Sequence, residues 1–514
     1  MGLWDLYFIA KLYLYFSHHM GFHAGLNLAF ALFLILPFPV RYARFSKFKP
    51  LLSIPLGISL FYYDTWLPPI SRAFSQSSEL RGFTPRYLIE LVGRFINPYV
   101  VAGMAVAFIL YFLLRKRLRI SSFVFIAMFI PLIWAGKTTG LQANVDTASE
   151  EASGAPTDAS LSDQLDAFFK HEASRTVSFK SPDKSDAPFD IIFLHICSLS
   201  WDDIDFTKER DNPFFKRFNI LFTDFNSAVS YSGPAAIRLL RSSCGQQRHK
   251  NLYDPPRKEC LTFDNLQKIG YTREIAMNHD GLYGGFLNPD IQVRGGLDVK
   301  PFDNSKLPTY LQAFDGTPIH DDYTVLSKWW ENRLESNDNR VVLYYNTISL
   351  HDGDQYMGRR EDSMKIYPAR LHQLLSDMSR FLDLLEASKR RAVVIFIGEH
   401  GASVRGDKMQ IAGLREIPTP LITTVPVGIK LIGFHGKEQI VVSKPSSYLA
   451  IAKVLSEFIE IPPFGKDNLS MTDYVSNLPE TVHVAENSGI VVMRSNKQYY
   501  IRSNGQDWLP YDSN

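Results

Sequence analysis

The sequence is poor in cysteine. Its 514 residues include three, Cys197, Cys244 and Cys260, which excludes a disulfide scaffold and a zinc-finger pattern. It also lacks an excess of charge. Lysine and arginine total 55 and aspartate and glutamate 53, a formal +2. Such a balance gives no reason to expect a nucleic-acid partner. The first apolar run, 3–16, has no basic leading region and no small-residue cleavage site, so it does not read as a cleaved secretion signal. The length exceeds one ordinary core and implies at least two structural units.

Long polar stretches are scarce before residue 136. Apolar runs cover 3–16 (broken by Asp5 and Lys11), 24–40, 51–67 (with Asp64 near its end), 100–114 and 121–134. Each is short for a hydrocarbon core of about 30 Å, but flanking aromatics extend them, so about five membrane helices are expected. The first run also suits an interfacial position. Residues 68–97 are polar and mixed, with Pro68, Pro69 and Pro85 as breakers. Arg41, Arg44, Lys47 and Lys49 lie between the second and third runs, and Arg115, Lys116, Arg117 and Arg119 between the fourth and fifth. Both loops are therefore expected in the cytoplasm. That topology makes the chain a multi-pass inner-membrane protein with everything after Trp134 outside, in the oxidising periplasm if the cell is bacterial. The expected division is a membrane domain over 1–136, a flexible linker over 137–187 with one short helix near 161–171, and a catalytic domain over 188–514.

From residue 188 the pattern alternates strand and helix. Runs at 191–196, 275–277, 341–345 and 393–397 are continuously apolar, as strands buried on both faces are. Helical segments at 322–335 and 368–388 lie between or beside them. This predicts an α/β domain with a largely parallel sheet. Ligands in such sheets bind beyond the carboxyl ends of the strands. There the sequence places Cys197-Ser198, Asn278-His279-Asp280, Asn346 with His351-Asp352-Gly353 beyond it, and Glu399-His400-Gly401. The stretch Ser230-Tyr231-Ser232-Gly233-Pro234 reads as a loop entering a helix, with Ser232 as N-cap. A hydroxyl at a helix start lies beside free N–H groups and suits phosphate chemistry. Each feature has an ordinary reading as well: a buried cysteine, a hydrogen-bonded histidine, a turn, a helix cap. A thiolate, a carboxylate and an imidazole delivered to one sheet edge are, however, zinc-ligand types with a fourth position to spare.

The stretches Cys197-Ser-Leu-Ser-Trp201, Ser230 to Arg241, His351-Asp-Gly353, Glu399-His-Gly401 and Gly413-Leu-Arg-Glu-Ile-Pro418 resemble the cellulose phosphoethanolamine transferases of bacterial cellulose secretion, the BcsG family. Asp64-Thr-Trp-Leu-Pro68 and Asp507-Trp-Leu-Pro-Tyr511 extend the resemblance over most of the chain. More distantly, the C-terminal part is similar to the alkaline phosphatase and sulfatase superfamily, implying an α/β/α domain of that type. Cys197 stands where that superfamily usually has a carboxylate, and Glu399 where it usually has aspartate; both departures agree with the cellulose-modifying family. The resemblance implies Ser232 as nucleophile and Zn2+ held by Cys197, Glu399, His400 and the Ser232 oxygen. It implies His351 and Arg415 at the phosphoryl group, Tyr231 lining the pocket, and His279 as a weaker candidate. The implied donor is phosphatidylethanolamine, the acceptor the glucose 6-hydroxyl of cellulose, and the partner the cellulose synthase complex. Rival readings are a phosphoglycerol transferase or phosphodiesterase of the same superfamily, or a non-enzymatic membrane partner of the synthase. Cys244 and Cys260, close in sequence and expected outside the membrane, predict a disulfide at the end of the Ser232 helix.

Overall fold

The computed structural model describes residues 2–16, 20–36, 48–65, 82–95, 98–115, 117, 119–131, 156–183, 186–359, 361–436, 438–464, 470–503 and 507–512. Arg41, Arg44, Lys47 and Lys116 of the expected cytoplasmic loops, Trp134, and residues 68–81 and 137–155 lie outside them. The chain divides into two compact units, Met1–Ser78 with Leu91–Ala155, and Glu79–Glu90 with Pro156–Asn514.

In the first unit, helices Trp4–Phe16, Ala24–Ile35, Lys49–Asp64, Pro98–Leu114 and Ile120–Ala127 fall on the five apolar runs. Among the described residues no helix is long and apolar enough to cross a membrane. Pro98–Leu114, at 17 residues, extends about 26 Å at 1.5 Å per residue, short of the roughly 30 Å of a hydrocarbon core. The charged groups that interrupt the apolar runs are buried; Lys11 and Asp64 pair with each other, and Asp5 accepts hydroxyl hydrogen bonds on one oxygen. Lys11 Nζ donates to Asn27 Oδ1 at 2.8 Å and pairs with Asp64. Asn27 Nδ2 donates to Asp64 Oδ2 at 2.7 Å, and Ser121 Oγ to Asp5 Oδ2 at 2.7 Å.

The second unit is built on a seven-stranded sheet. Its strands are β1 (Asp190–Ile196), β2 (Ile220–Asn226), β3 (Thr272–Met277), β4 (Val341–Thr347), β5 (Ala392–Gly398), β6 (Thr424–Ile432) and β7 (Ile440–Val442). The spatial order is β7-β2-β6-β5-β1-β4-β3. Pairing is parallel except at β6, which runs antiparallel to β2 and β5, so the sheet is mixed. β1 explains its own apolar run. Ile191 and Phe193 enter one core while Ile192, Leu194 and Ile196 enter the other. Helices Asp322–Glu335 and Ser363–Ala387 pack in the second of these cores. Helices Ser232–Leu240, Thr262–Lys268 and Tyr448–Glu460 pack in the first. The long helix starts at Ser363 rather than at Pro368, because Asp362 caps it by accepting from the N–H groups of Met364 and Lys365.

Several elements are not expected from the sequence, strands β2, β6 and β7 among them. A four-stranded antiparallel sheet forms from Val484–Asn487, Ile490–Ser495, Gln498–Ser503 and Leu509–Tyr511. The helix expected near 161–171 runs Asp158–Ala173 and packs Leu161, Leu165 and Phe169 against that sheet. Helix Pro85–Phe95 arises where breakers were read. Proline is tolerated there because the first helical residues have no intrahelical partner for their N–H.

Cys244 and Cys260 are joined, 16 residues apart, just beyond the end of helix Ser232–Leu240. Closing a loop of that size restricts the unfolded chain. Replacing both cysteines by serine is expected to cost about 3 kcal/mol, read as a lower urea midpoint in equilibrium unfolding. Non-reducing peptide mass spectrometry should find the two residues in one linked species.

Candidate active site

The parallel register of β1 and β5 sets Ile196 opposite Gly398. The next residues along each strand, Cys197 and Glu399, therefore leave the sheet side by side, with His400 following. All three are buried. One ligand atom from each lies within 4.8 Å of the others. Ser198 turns the chain away immediately after Cys197, with φ 59°, a left-handed value unusual without glycine. Tyr367 Oη donates to the Ser198 carbonyl at 2.7 Å and holds the turn.

Ser232 arrives from β2 and the following loop. The N-cap of its helix is Tyr231, in extended conformation, so Ser232 is the first helical residue, not the cap. Its hydroxyl is turned to the cluster, with Oγ 3.2 Å from Cys197 Sγ and 3.3 Å from His400 Nε2. A Cβ at Gly233 would meet the Asp290 carboxylate, so glycine leaves that side chain its place beside the helix start.

Each donor is oriented from behind. His400 Nδ1–H donates to the Gly401 carbonyl at 3.0 Å, which leaves the Nε2 lone pair toward Cys197 and Ser232. Asn346, at the end of β4, donates through Nδ2 to Glu399 Oε1. His279 Nε2 in turn donates to Asn346 Oδ1 at 2.8 Å. His279 thus reaches the cluster only through Asn346. Glu399 Oε2 is buried with no hydrogen-bond partner.

The electrostatics are those of donors held out of water. Burial, reinforced by the Glu399 carboxylate, pushes the Cys197 thiol up to about 12. Burial pushes Glu399 up to about 7 and holds His400 well below the usual imidazole value. A bound divalent cation would favour the thiolate, the carboxylate and the neutral imidazole together. The unpartnered Glu399 oxygen and the sulfur–oxygen–nitrogen donor set fit such an ion, and zinc best.

Arg415 lies at the rim. Its Nη1 donates to Ser198 Oγ at 3.1 Å and lies 3.3 Å from His400 Nδ1. His351 is lowered to about 4 by burial first and then by the Arg415 charge. Tyr231 Oη donates to Glu416 Oε1 at 2.6 Å, and the Arg415 guanidinium sits 5.9 Å from the Tyr231 ring centre. Cys197, Ser232, Glu399 and His400 thus form one cluster, Arg415 adjoins it, Tyr231 flanks Arg415, and the Arg415 charge reaches the buried His351.

Asn346, Glu416 and Asn487 escaped the reading of the sequence as site residues. Asn346 carried a signal, since it follows a buried apolar run as Cys197 and Glu399 do. Asn487 carried none. It reaches in from the four-stranded sheet and donates to Ser230 Oγ at 2.6 Å and to the Glu416 carbonyl at 2.8 Å, tying the two loops together.

Residues 145–508 match the family model described as Cellulose biosynthesis protein BcsG C-terminal domain, and residues 4–133 that of the BcsG N-terminal domain. Cellulose biosynthesis protein BcsG of Escherichia coli (strain K12) is 39% identical over 542 residues, covering 99% of this chain and 96% of that protein. The protein of the same name from Salmonella typhimurium (strain LT2) is 37% identical over 540 residues, with the same 99% and 96%. Among solved structures, an alkaline phosphatase superfamily protein from Vibrio parahaemolyticus gives a TM-score of 0.48 at 13% identity, over 68% of this chain and 88% of that one. The integral membrane lipooligosaccharide phosphoethanolamine transferase A of Neisseria meningitidis gives 0.42 at 14% identity, over 89% and 96%. Structural likeness at that level carries no weight, whereas the sequence matches run through both parts of the chain: it belongs to the BcsG family of cellulose biosynthesis proteins.

Proposed function

We propose that this chain is a zinc-dependent phosphoethanolamine transferase. The donor is phosphatidylethanolamine, the acceptor is the glucose 6-hydroxyl of cellulose, and the phosphoethanolamine passes through Ser232. One observation carries the reading: the Ser232 hydroxyl lies 3.2 Å from Cys197 Sγ and 3.3 Å from His400 Nε2, at the open side of a buried cysteine–glutamate–histidine set.

Cys197, Glu399 and His400 would hold the zinc, with Ser232 beside them. The ion would favour ionisation of the serine hydroxyl and offset charge on the phosphoryl oxygens. The protein's own groups do the rest. Ser232 opens its helix, so the N–H groups of the first turn have no intrahelical partner and are available to a phosphoryl oxygen. Arg415 offers a planar guanidinium to the same group. In the first step Ser232 Oγ attacks phosphorus and the bond to the diacylglycerol oxygen breaks. The hydroxyl proton ends on that departing oxygen. In the second step the glucan hydroxyl attacks, the Ser232 Oγ–phosphorus bond breaks, and its proton returns to Ser232. Splitting the transfer lets one bulky substrate leave before the other arrives.

The five helices on apolar runs and the disulfide support a multi-pass inner-membrane protein whose second unit is periplasmic, working beside a cellulose synthase complex. Transfer from ethanolamine-labelled lipid to cellulose is expected to fall about a thousandfold or more in Ser232→Ala, with an unchanged melting temperature. Wild type given lipid without cellulose should carry phosphoethanolamine on Ser232 by peptide mass spectrometry. Full transfer by Ser232→Ala would sink the proposal.

Cys197→Ala tests the metal. The purified full chain should lose the stoichiometric zinc that wild type carries, measured by elemental analysis. Undiminished activity after exhaustive chelation would count against zinc.

A further inference from the structure

Residues 82–90 lie between apolar runs in sequence, yet they belong to the second compact unit. They grip the loop that carries His351. The Tyr87 hydroxyl, buried, donates to Asp352 Oδ2 at 2.9 Å, joining residues 265 apart. The other oxygen of Asp352 accepts from Ser363 Oγ at 2.6 Å. Ser363 N–H donates to Glu90 Oε1 at 3.0 Å, and the same Ser363 hydroxyl, whose one hydrogen serves either carboxylate in turn, lies 2.7 Å from that oxygen. Arg86 donates to Gln355 Oε1 at 3.2 Å and to the Arg359 and Glu361 carbonyls at 3.1 and 3.3 Å. On the other side, Thr84 N–H donates to the Phe314 carbonyl at 3.0 Å. Phe314 packs its ring against those of Phe83, Tyr87 and His351, at centroid distances of 5.3, 5.8 and 4.8 Å. Gly353 shows how close the fit is. It takes φ +85°, and a Cβ there would strike the Tyr87 ring.

His351 itself is tied into this structure. Its Nδ1–H donates to the Asp352 carbonyl at 2.7 Å, and its ring lies on Phe314. The segment therefore holds both the ring's support and the residue next to it in the chain. We propose that Tyr87 and Glu90 are positioning residues for the transfer: through Asp352, Ser363 and Phe314 they fix the orientation of His351. The catalytic unit is thus completed by a piece of chain from between the N-terminal apolar runs. This rests on the proposed function and on the role at the phosphoryl group that the family resemblance implies for His351.

A purely structural brace would contribute stability alone. A positioning brace sets kcat, because misplacing a reacting neighbour by about 1 Å costs up to roughly a hundredfold. The test uses the full-length chain with three substitutions. Tyr87→Phe removes one hydroxyl, Glu90→Ala removes the acceptor for Ser363, and Glu90→Gln keeps an acceptor oxygen. Tyr87→Phe and Glu90→Ala should lower kcat roughly ten- to hundredfold, with KM for the lipid, zinc content and melting temperature unchanged. Glu90→Gln should restore most of the loss. Hydrogen exchange should quicken within 351–363 in the first two variants and nowhere else in the second unit. Wild-type kcat in both variants, unchanged exchange in 351–363, or a loss that comes with a lower melting temperature or lost zinc would overturn the proposal. If wild type itself transfers nothing, the functional reading falls, and the exchange measurement alone decides whether the segment holds the loop.

Discussion

The pairing of β1 with β5 fixes nearly everything at the site. Cys197 and Glu399 are about two hundred positions apart in sequence, and they meet only because Ile196 pairs with Gly398 in a parallel register. Successive strand residues point to opposite faces, so a slip of one position would turn Cys197 away from Glu399 and exchange the two cores. The register is secured at the far end too. Asp190, the first residue of β1, is buried and accepts from Arg333 at 2.9 Å and from Arg390 at 2.6 Å. It also accepts from the N–H of Val341, the first residue of β4. A buried carboxylate is stable only with such partners, and no other register offers Asp190 the same set. The charge at one end of the strand thereby determines which groups converge at the other.

That convergence is costly in the protein alone. A thiol, a carboxylate and two imidazoles, His195 and His400, are packed with little access to water. Burial drives each toward its neutral form, and His195 is lowered to about 3. His195 Nδ1 is satisfied by the Tyr344 hydroxyl at 3.0 Å. Glu399 is satisfied on one oxygen only. An apolar core built for stability would have none of these groups, so their presence marks a site where stability yields to chemistry.

Cys197 and Glu399-His400 were legible in the sequence as candidates because they follow unbroken apolar runs, and such runs are strands buried on both faces. Strands β2, β6 and β7 were not read from the sequence, and composition does not encode that β6 runs against its neighbours. The four-stranded sheet was missed because its strands are short and half-buried, as in Gln498–Ser503. Asn487, which that sheet delivers to the Ser230 and Glu416 loops, was missed with it. Residues 82–90 read as a polar interval punctuated by prolines. Their value lies wholly in contacts to residues far along the chain, and no local pattern announces a long-range hydrogen bond.

The helix start at Ser232 shows the limit of local rules most clearly. Ser-Gly-Pro is a good capping sequence, and a serine that caps spends its oxygen on a backbone N–H two or three residues on. Here the helix begins one residue earlier in the chain's own terms: Tyr231 takes the cap position without a capping hydrogen bond from its side chain. The first turn thereby leaves its N–H groups unclaimed and Ser232 Oγ free to face Cys197 and His400. Forgoing a serine cap costs about 1 kcal/mol. A capped helix would be slightly more stable, but its hydroxyl would be turned to the backbone and its N–H groups already taken. In the proposed reaction the uncapped start keeps both for a phosphoryl group.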